Sequence, residues 1–284
     1  MCALQSWPLA LLIVSLLVAL NAAVAYAIFE PRDETLKVSF LDVGQGDAIL
    51  IESPEGIELL IDGGRDRSVL RELPRVIGPL DRSIDMVLAT HPDADHIGGL
   101  PDIFSRYRVS YYLSSGIEND TSPTERLEAY ASAEKGMQSF IARRGMRIHL
   151  GKDVYADVLY PDRDVSKGET NAGSVIVRLV YGETSFLLTG DAPDTVENYV
   201  ATLGVVDSDV LKAGHHGSRN STSAVFLSAV TPDTVVVSAG KDNSYGHPHA
   251  EVVQRVRESG AELVSTSEEG AITFVSNGID IVRK

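Results

Sequence analysis

The chain has 284 residues, 44% hydrophobic and 23% charged, with a formal net charge of −15 at pH 7 and a single cysteine. This composition excludes an intrinsically disordered chain and a disulfide scaffold. The acidic excess, carried wholly by residues 30–284, excludes a surface that coats nucleic acid through clustered Lys and Arg. Any nucleic-acid chemistry would need a local basic patch or metal ions.

Residues 1–29 contain no charged side chain, and the run from Trp7 to Phe29 is almost entirely apolar. About 23 such residues suffice to cross a bilayer as a helix. The segment is therefore predicted to be one apolar membrane helix with an extracytoplasmic domain after it. Ala25-Tyr26-Ala27 also reads as a small-x-small cleavage site, which makes secretion after signal cleavage the alternative, although no basic residue precedes the run. Cys2 lies ahead of the run and is read as incidental.

Residues 30–284 read as one domain, without a repeat or a Gly/Ser linker. Strands are predicted at 36–43, 47–53 and 57–63, with a Pro-Glu-Gly turn joining the last two into a hairpin. A helix from Ser68 to Ile77 precedes Pro79, and the short buried strand 84–90 ends at His91. Residues 122–144 read as a long amphipathic helix. Strands follow at 154–160, 174–181 and 184–189, then in the segments 206–214 and 233–240 and in the tail, with helices at 194–203, 222–230 and 249–259. Such an order fits a mixed α/β (α+β) domain of two sheets packed face to face and covered by helices.

Six of the seven histidines fall in close pairs: His91/His96, His215/His216 and His247/His249. Each pair follows a short hydrophobic strand, in a loop containing Gly or Pro, where side chains can converge on one point. Asp62 ends LLID and Asp191 ends FLLTGD in the same setting. In His91-Pro92-Asp93-Ala94-Asp95-His96, four metal-competent groups occupy six residues. A tight loop opening a helix would split them into His91 with Asp93 and Asp95 with His96, two sets for two neighbouring ions. Imidazole and carboxylate without thiolate suit Zn²⁺, Mn²⁺ or Fe. The plainer alternative is a surface loop in which Asp93 and Asp95 cap the following helix. His149, alone, reads as a surface residue at a strand end.

The segments LDVGQGDAILIE, LLIDGG, THPDADHIGGL, FLLTGDA, DVLKAGHHGS and SAGKDNSYGHPH resemble the metallo-β-lactamase superfamily, in particular the hydrolase domain of ComEC-type competence (DNA-internalisation) proteins. The resemblance covers roughly residues 36–284. It implies a four-layer αβ/βα sandwich with two divalent ions, Zn or else Mn, at the edge where the strand-end loops meet. Carried over by motif, His91 and Asp93 would bind one ion and Asp95 and His96 the other, Asp191 would bridge them, and His216 and His247 would complete the two shells. Asp62 would orient the loop ligands from behind, with His249 in a similar supporting role. Asp95 and His215 are the expected catalytic residues, and Asn171 and Ser218 the expected substrate contacts. Spacing leaves open which histidine of the 215/216 pair binds metal; the other could donate a proton. Two departures stand out: Asp93 replaces a more common histidine, and Asn171-Ala172-Gly173-Ser174 stands where many members place a further metal-binding histidine.

The expected reaction is phosphodiester hydrolysis, possible on DNA, in which two cations generate a hydroxide near neutral pH and stabilise attacking and leaving oxygens. The loop from Gly217 to Ser223 supports it, being rich in donors at a predicted helix start, although the same composition also suits a solvated capping loop. Arg65, Arg67, Arg71 and Arg75 could line an anionic-ligand patch, or simply form a solvated helix face. The alternatives are hydrolysis of a non-phosphate ester or lactone and a non-catalytic, membrane-tethered binding module. A single apolar span cannot form a channel, so DNA translocation would fall to a separate competence channel protein.

Overall fold

The computed structural model describes residues 7–29, 34–134 and 136–284, with side chains of the first segment described through residue 22. Two compact units result, residues 1–34 and residues 35–284.

The first unit holds helix α1 (Trp7–Phe29). The expected membrane anchor and its extracytoplasmic domain are not upheld: among the described residues no helix is long and apolar enough to cross a membrane. The side chains of Ala25-Tyr26-Ala27, on which signal cleavage rested, lie outside the described set, as do Cys2, Glu30 and Asp33.

In the second unit the first half of the chain gives β1 (Leu36–Phe40), β2 (Ile49–Glu52), β3 (Glu58–Ile61), α2 (Val69–Val76), β4 (Ser83–Ala89), α3 (Ala94–Ile97), α4 (Leu100–Phe104), β5 (Arg108–Ser114), α5 (Ser122–Ala133) and β6 (Gln138–Ile141). The second half gives β7 (Arg147–His149), β8 (Val154–Tyr160), β9 (Ile176–Tyr181), β10 (Thr184–Leu188), α6 (Asp194–Ala201), β11 (Val210–Lys212), α7 (Ala224–Val230), β12 (Thr234–Val237), α8 (Ala250–Ser259), β13 (Glu262–Ser265), α9 (Thr266–Glu269), β14 (Ile272–Ser276) and β15 (Ile281–Arg283). An eight-stranded sheet runs β15-β14-β1-β2-β3-β4-β5-β6 and a seven-stranded sheet runs β13-β12-β11-β10-β9-β8-β7. The predicted hairpin is β2–β3, with Ile51 opposite Leu59.

Strand alternation builds the layers. Leu59 and Ile61 of β3 enter the core between the sheets, with Phe40, Phe186 and Phe274, while Leu60 turns to the core under α2 and α4. On the other sheet Val236 points inward, and Val235 and Val237 pack with Phe226 and Val252 of the covering helices. The central strands of both sheets are thus buried on both faces, which explains why parallel strands such as β11 and β12 read as short hydrophobic runs. The result is the helix–sheet–sheet–helix arrangement that the sequence resemblance implies.

The long helix expected over 122–144 is wrong. Helix α5 ends at Ala133, Gly136 takes φ +88, and Gln138–Ile141 pairs in parallel with β5 as an edge strand. The backbone turns extended at the C-cap Glu134, and sheet pairing overrides the periodicity of residues 138–141.

Candidate metal centre

The site is built where β3 and β4 of one sheet and β10, β11 and β12 of the other end together. After β3, Asp62 adopts φ 60. Its carboxylate accepts the Thr90 backbone N–H (2.8 Å), the Thr90 hydroxyl (2.7 Å) and the His96 Nδ1–H (2.7 Å). Because Thr90 Oγ1 spends its proton on Asp62, it is left to accept from His91 Nδ1 at 3.0 Å. Both imidazoles therefore carry a proton on Nδ1 and turn Nε2 inward. Asp93 stands at the N-cap position of α3 without a side-chain capping bond, so the plain capping reading of this loop fails. Its Oδ2 instead lies 3.7 Å from His91 Nε2.

From the facing sheet, Asp191 follows β10, and the Gly214–Gly217 turn follows β11 with His215 and His216 at φ 46 and 55. This left-handed backbone points the two side chains apart. His216 is buried, gives its Nδ1 proton to the Ser238 carbonyl after β12 (2.9 Å), and presents Nε2 to Asp191 Oδ2 (3.3 Å) and Asp95 Oδ2 (3.5 Å). His96 Nε2 lies 3.2 Å from Asp191 Oδ1. His215 stays at the rim, one-third exposed, with Nε2 3.7 Å from Asp191 Oδ2. The GQGD loop completes the wall: a Cβ on Gly46, which has φ +127, would stand 2.0 Å from the Asp95 carbonyl oxygen, so only glycine lets this loop lie against the metal loop.

The buried atoms left without a hydrogen-bond partner include His91 Nε2, His96 Nε2, His216 Nε2 and Asp191 Oδ1. Buried polar atoms are normally satisfied, and unpartnered imidazole nitrogens around a carboxylate fit a divalent cation. Electrostatics agree. Burial, reinforced by the neighbouring His96, pushes His91 down to about 3. Burial also works against charge on His96 and His216, but Asp191 outweighs it and raises both well above the imidazole range. Despite its burial, Asp191 is held well below the carboxylate range by those two rings, and Asp95 is drawn to about 2 by His216 and His96. The cluster is built to surround positive charge.

The structure thus brings together His91, Asp93, Asp95, His96, Asp191 and His216, with Asp62 behind them. His247 stands at the rim, its ring 5.6 Å from that of His215, its Nδ1 buried and unpartnered. His249 lies further out, accepting the Arg219 N–H on Nδ1 at 3.2 Å. Asn171 sits in a short 3-10 turn with Oδ1 buried and unpartnered. The Ser218 N–H closes the histidine turn on the His215 carbonyl (2.8 Å). Of the arginines considered for an anion patch, Arg67 pairs with Asp102, Arg75 with Glu72, and Arg71 donates to Ser68.

Two residues escaped the sequence reading. Asp47, His96, Asp191 and His216 each offer a ligand atom within 4.8 Å of the others, and Lys212 Nζ lies 2.6 Å from Asp47 Oδ2. The signal was present: a lysine closing the buried strand VLK and an aspartate after Gly-Gln-Gly, both inside the quoted motifs.

The sequence profile described as "Metallo-beta-lactamase superfamily" matches residues 41–241, which include every ligand candidate named above except His247. ComE operon protein 3 of Bacillus subtilis is 28% identical over 84% of this chain and 33% of its own length. Recombination protein 2 of Haemophilus influenzae is 31% identical over 87% of this chain and 30% of its own length. The chain therefore spans about a third of the length of these curated relatives. Among solved structures, the metallo hydrolase Igni18 of Ignicoccus hospitalis superposes with TM-score 0.53 at 18% identity, covering 84% of this chain and 98% of that one. Zn²⁺-bound PqqB of Methylobacterium extorquens gives 0.51 at 10% identity, covering 81% and 87%. With its two helix-flanked sheets and its candidate divalent-metal site between their ends, the chain belongs to the metallo-β-lactamase superfamily of hydrolases.

Proposed function

We propose that the chain is a dinuclear metal-dependent phosphodiesterase acting on nucleic acid, DNA above all, with zinc or manganese as its ions. The observation that carries this reading is the convergence of three buried, unpartnered Nε2 atoms, those of His91, His96 and His216, on Asp191. His96, His216, Asp95 and Asp191 form one donor set; His91 and Asp93, sharing Asp191, form the second, and His247 completes a shell from the rim. The relative named for recombination supports a nucleic-acid substrate.

A divalent pair supplies charge stabilisation for the attacking and leaving oxygens and lowers the pKa of water. The protein's own part begins with Asp62 and Thr90, which fix the tautomers of His91 and His96. His215 moves the proton: burial keeps its pKa below the ordinary range, so the ring starts neutral, takes a proton from the attacking water and returns it to the leaving oxygen. The exposed Arg219, on the same loop, supplies positive charge beside the rim of an otherwise acidic chain, and Ser218 and Asn171 line the approach of the substrate.

The test is metal analysis of the full chain together with turnover of bis(p-nitrophenyl) phosphate and single-stranded DNA. We expect close to two ions per chain, metal-dependent cleavage of both substrates, and loss of most bound metal in Asp191→Ala. A metal-loaded chain that cleaves a carboxylic ester or lactone but neither phosphodiester would overturn the proposal.

A further inference from the structure

Lys212 is the last residue of β11 and fully buried, an unusual place for an ammonium. Its Nζ lies 2.6 Å from Asp47 Oδ2, 3.1 Å from the Gly190 carbonyl and 3.7 Å from Asp191 Oδ1. Asp47, equally buried, faces the outer nitrogens of the two central imidazoles: Oδ1 is 3.5 Å from His216 Nδ1, and Oδ2 is 3.8 Å from His96 Nδ1. Asp191 faces the inner nitrogens of the same rings. The two carboxylates therefore lie on opposite sides of the imidazoles, and of the two only Asp47 has the ammonium at hydrogen-bond distance, Asp191 lying farther from it.

We infer that Asp47 is not a metal ligand, and that Asp47 and Lys212 form a buried positioning pair behind the metal centre. The inference rests on the metal-binding reading above and adds two residues to it. Lys212 takes the negative charge of Asp47, which keeps that carboxylate from competing with Asp191 for a cation. Through the Gly190 carbonyl it also holds the backbone immediately before Asp191. Asp47 in turn neutralises an ammonium that would otherwise repel a cation at Asp191, and its backbone ties the walls together, the N–H to the Asp95 carbonyl (3.2 Å) and the carbonyl to the Gly64 N–H (2.7 Å). Removing one partner of a buried pair strands the other charge, whereas replacing both by neutral groups of similar shape is often tolerated. A ligand has no such rescue.

The experiment is calorimetric titration of the full chain with Zn²⁺ and with Mn²⁺, plus bound-metal analysis, on the parent, Asp47→Asn, Lys212→Met and the double variant, with circular dichroism to verify folding. Asp47→Asn, which leaves the ammonium uncompensated, should keep the parent's stoichiometry and lose roughly 10–100-fold in affinity. Adding Lys212→Met to it should restore most of that affinity. A double variant that is folded but lacks one ion relative to the parent makes Asp47 a ligand and overturns the inference; so does Asp47→Asn with parental affinity. If Asp47→Asn does not fold, the double variant alone decides between parental binding and a lost ion. A parent chain that binds no metal would instead refute the proposed function.

Discussion

His247 and His249 share one loop but occupy different environments. The His247 ring is half-buried, stacks on Tyr245 at 5.6 Å and keeps Nδ1 buried without a partner, and its backbone is locked by Asn243, whose Oδ1 accepts the His247 N–H at 3.0 Å. His249 opens α8 and has already used Nδ1 to accept the Arg219 N–H. A nitrogen held ready inside the site differs from one that ties a loop. We expect His247→Ala to lower kcat/KM at least 100-fold with loss of bound metal, and His249→Ala to cost roughly 10-fold with metal retained. Phosphodiester turnover with parallel metal analysis checks this; equal losses would mean that the two roles are shared.

The histidine turn is held open by its neighbouring helices. Left-handed residues such as His215, His216 and Thr222 cost of order 1–3 kcal/mol each unless the surroundings fix them. From α6, Glu197 accepts the N–H groups of Thr222 (2.8 Å) and Ser223 (3.3 Å). From α8, Arg255 donates to the carbonyls of Ser221, Thr222 and Arg219. Burial pushes the Glu197 carboxyl from 4.5 up to about 7, against the pull of those N–H groups. Between pH 4.5 and 7 the folded chain holds a proton that the unfolded chain has already released, so this group's contribution is greatest at low pH and declines as pH rises. Glu197→Gln cannot ionise. Its stability relative to the parent should therefore improve between pH 5 and 8, by up to about 3 kcal/mol. Urea unfolding at the two pH values measures it, and a constant difference would show that Glu197 titrates normally.

The two sheets meet at the site from opposite sides: His91, Asp95 and His96 follow strands of one sheet, Asp191 and His216 strands of the other. A cation held by both sets joins the two halves of the sandwich and should stabilise the native state as a whole. Free metal at 100 times Kd adds about 2.7 kcal/mol. For a domain of this size that raises the melting temperature by roughly 5–10 °C over the chelator-treated protein. Scanning calorimetry with and without EDTA tests it; identical melting curves would place the ions outside the native donor set.

The two-sheet architecture and most of the site were legible from sequence, because each ligand group is local: HPDADH, TGD and HHGS each lie on a few residues after a hydrophobic strand whose period is visible. The helix expected over residues 122–144 shows where local pattern fails, since sheet pairing with β5 claimed Gln138–Ile141. Local spacing also could not rank His215 against His216. The left-handed turn separates the two, burying His216 against Asp191 and leaving His215 at the rim. Asp47 and Lys212 were hidden for the same reason: a turn aspartate and a strand-end lysine look solvent-exposed until the two sheets close and leave each without water. What the sequence determined by itself is the chemistry of the donor groups; which of them face one another, and which charge neutralises which, follows only from the packing of one sheet on the other.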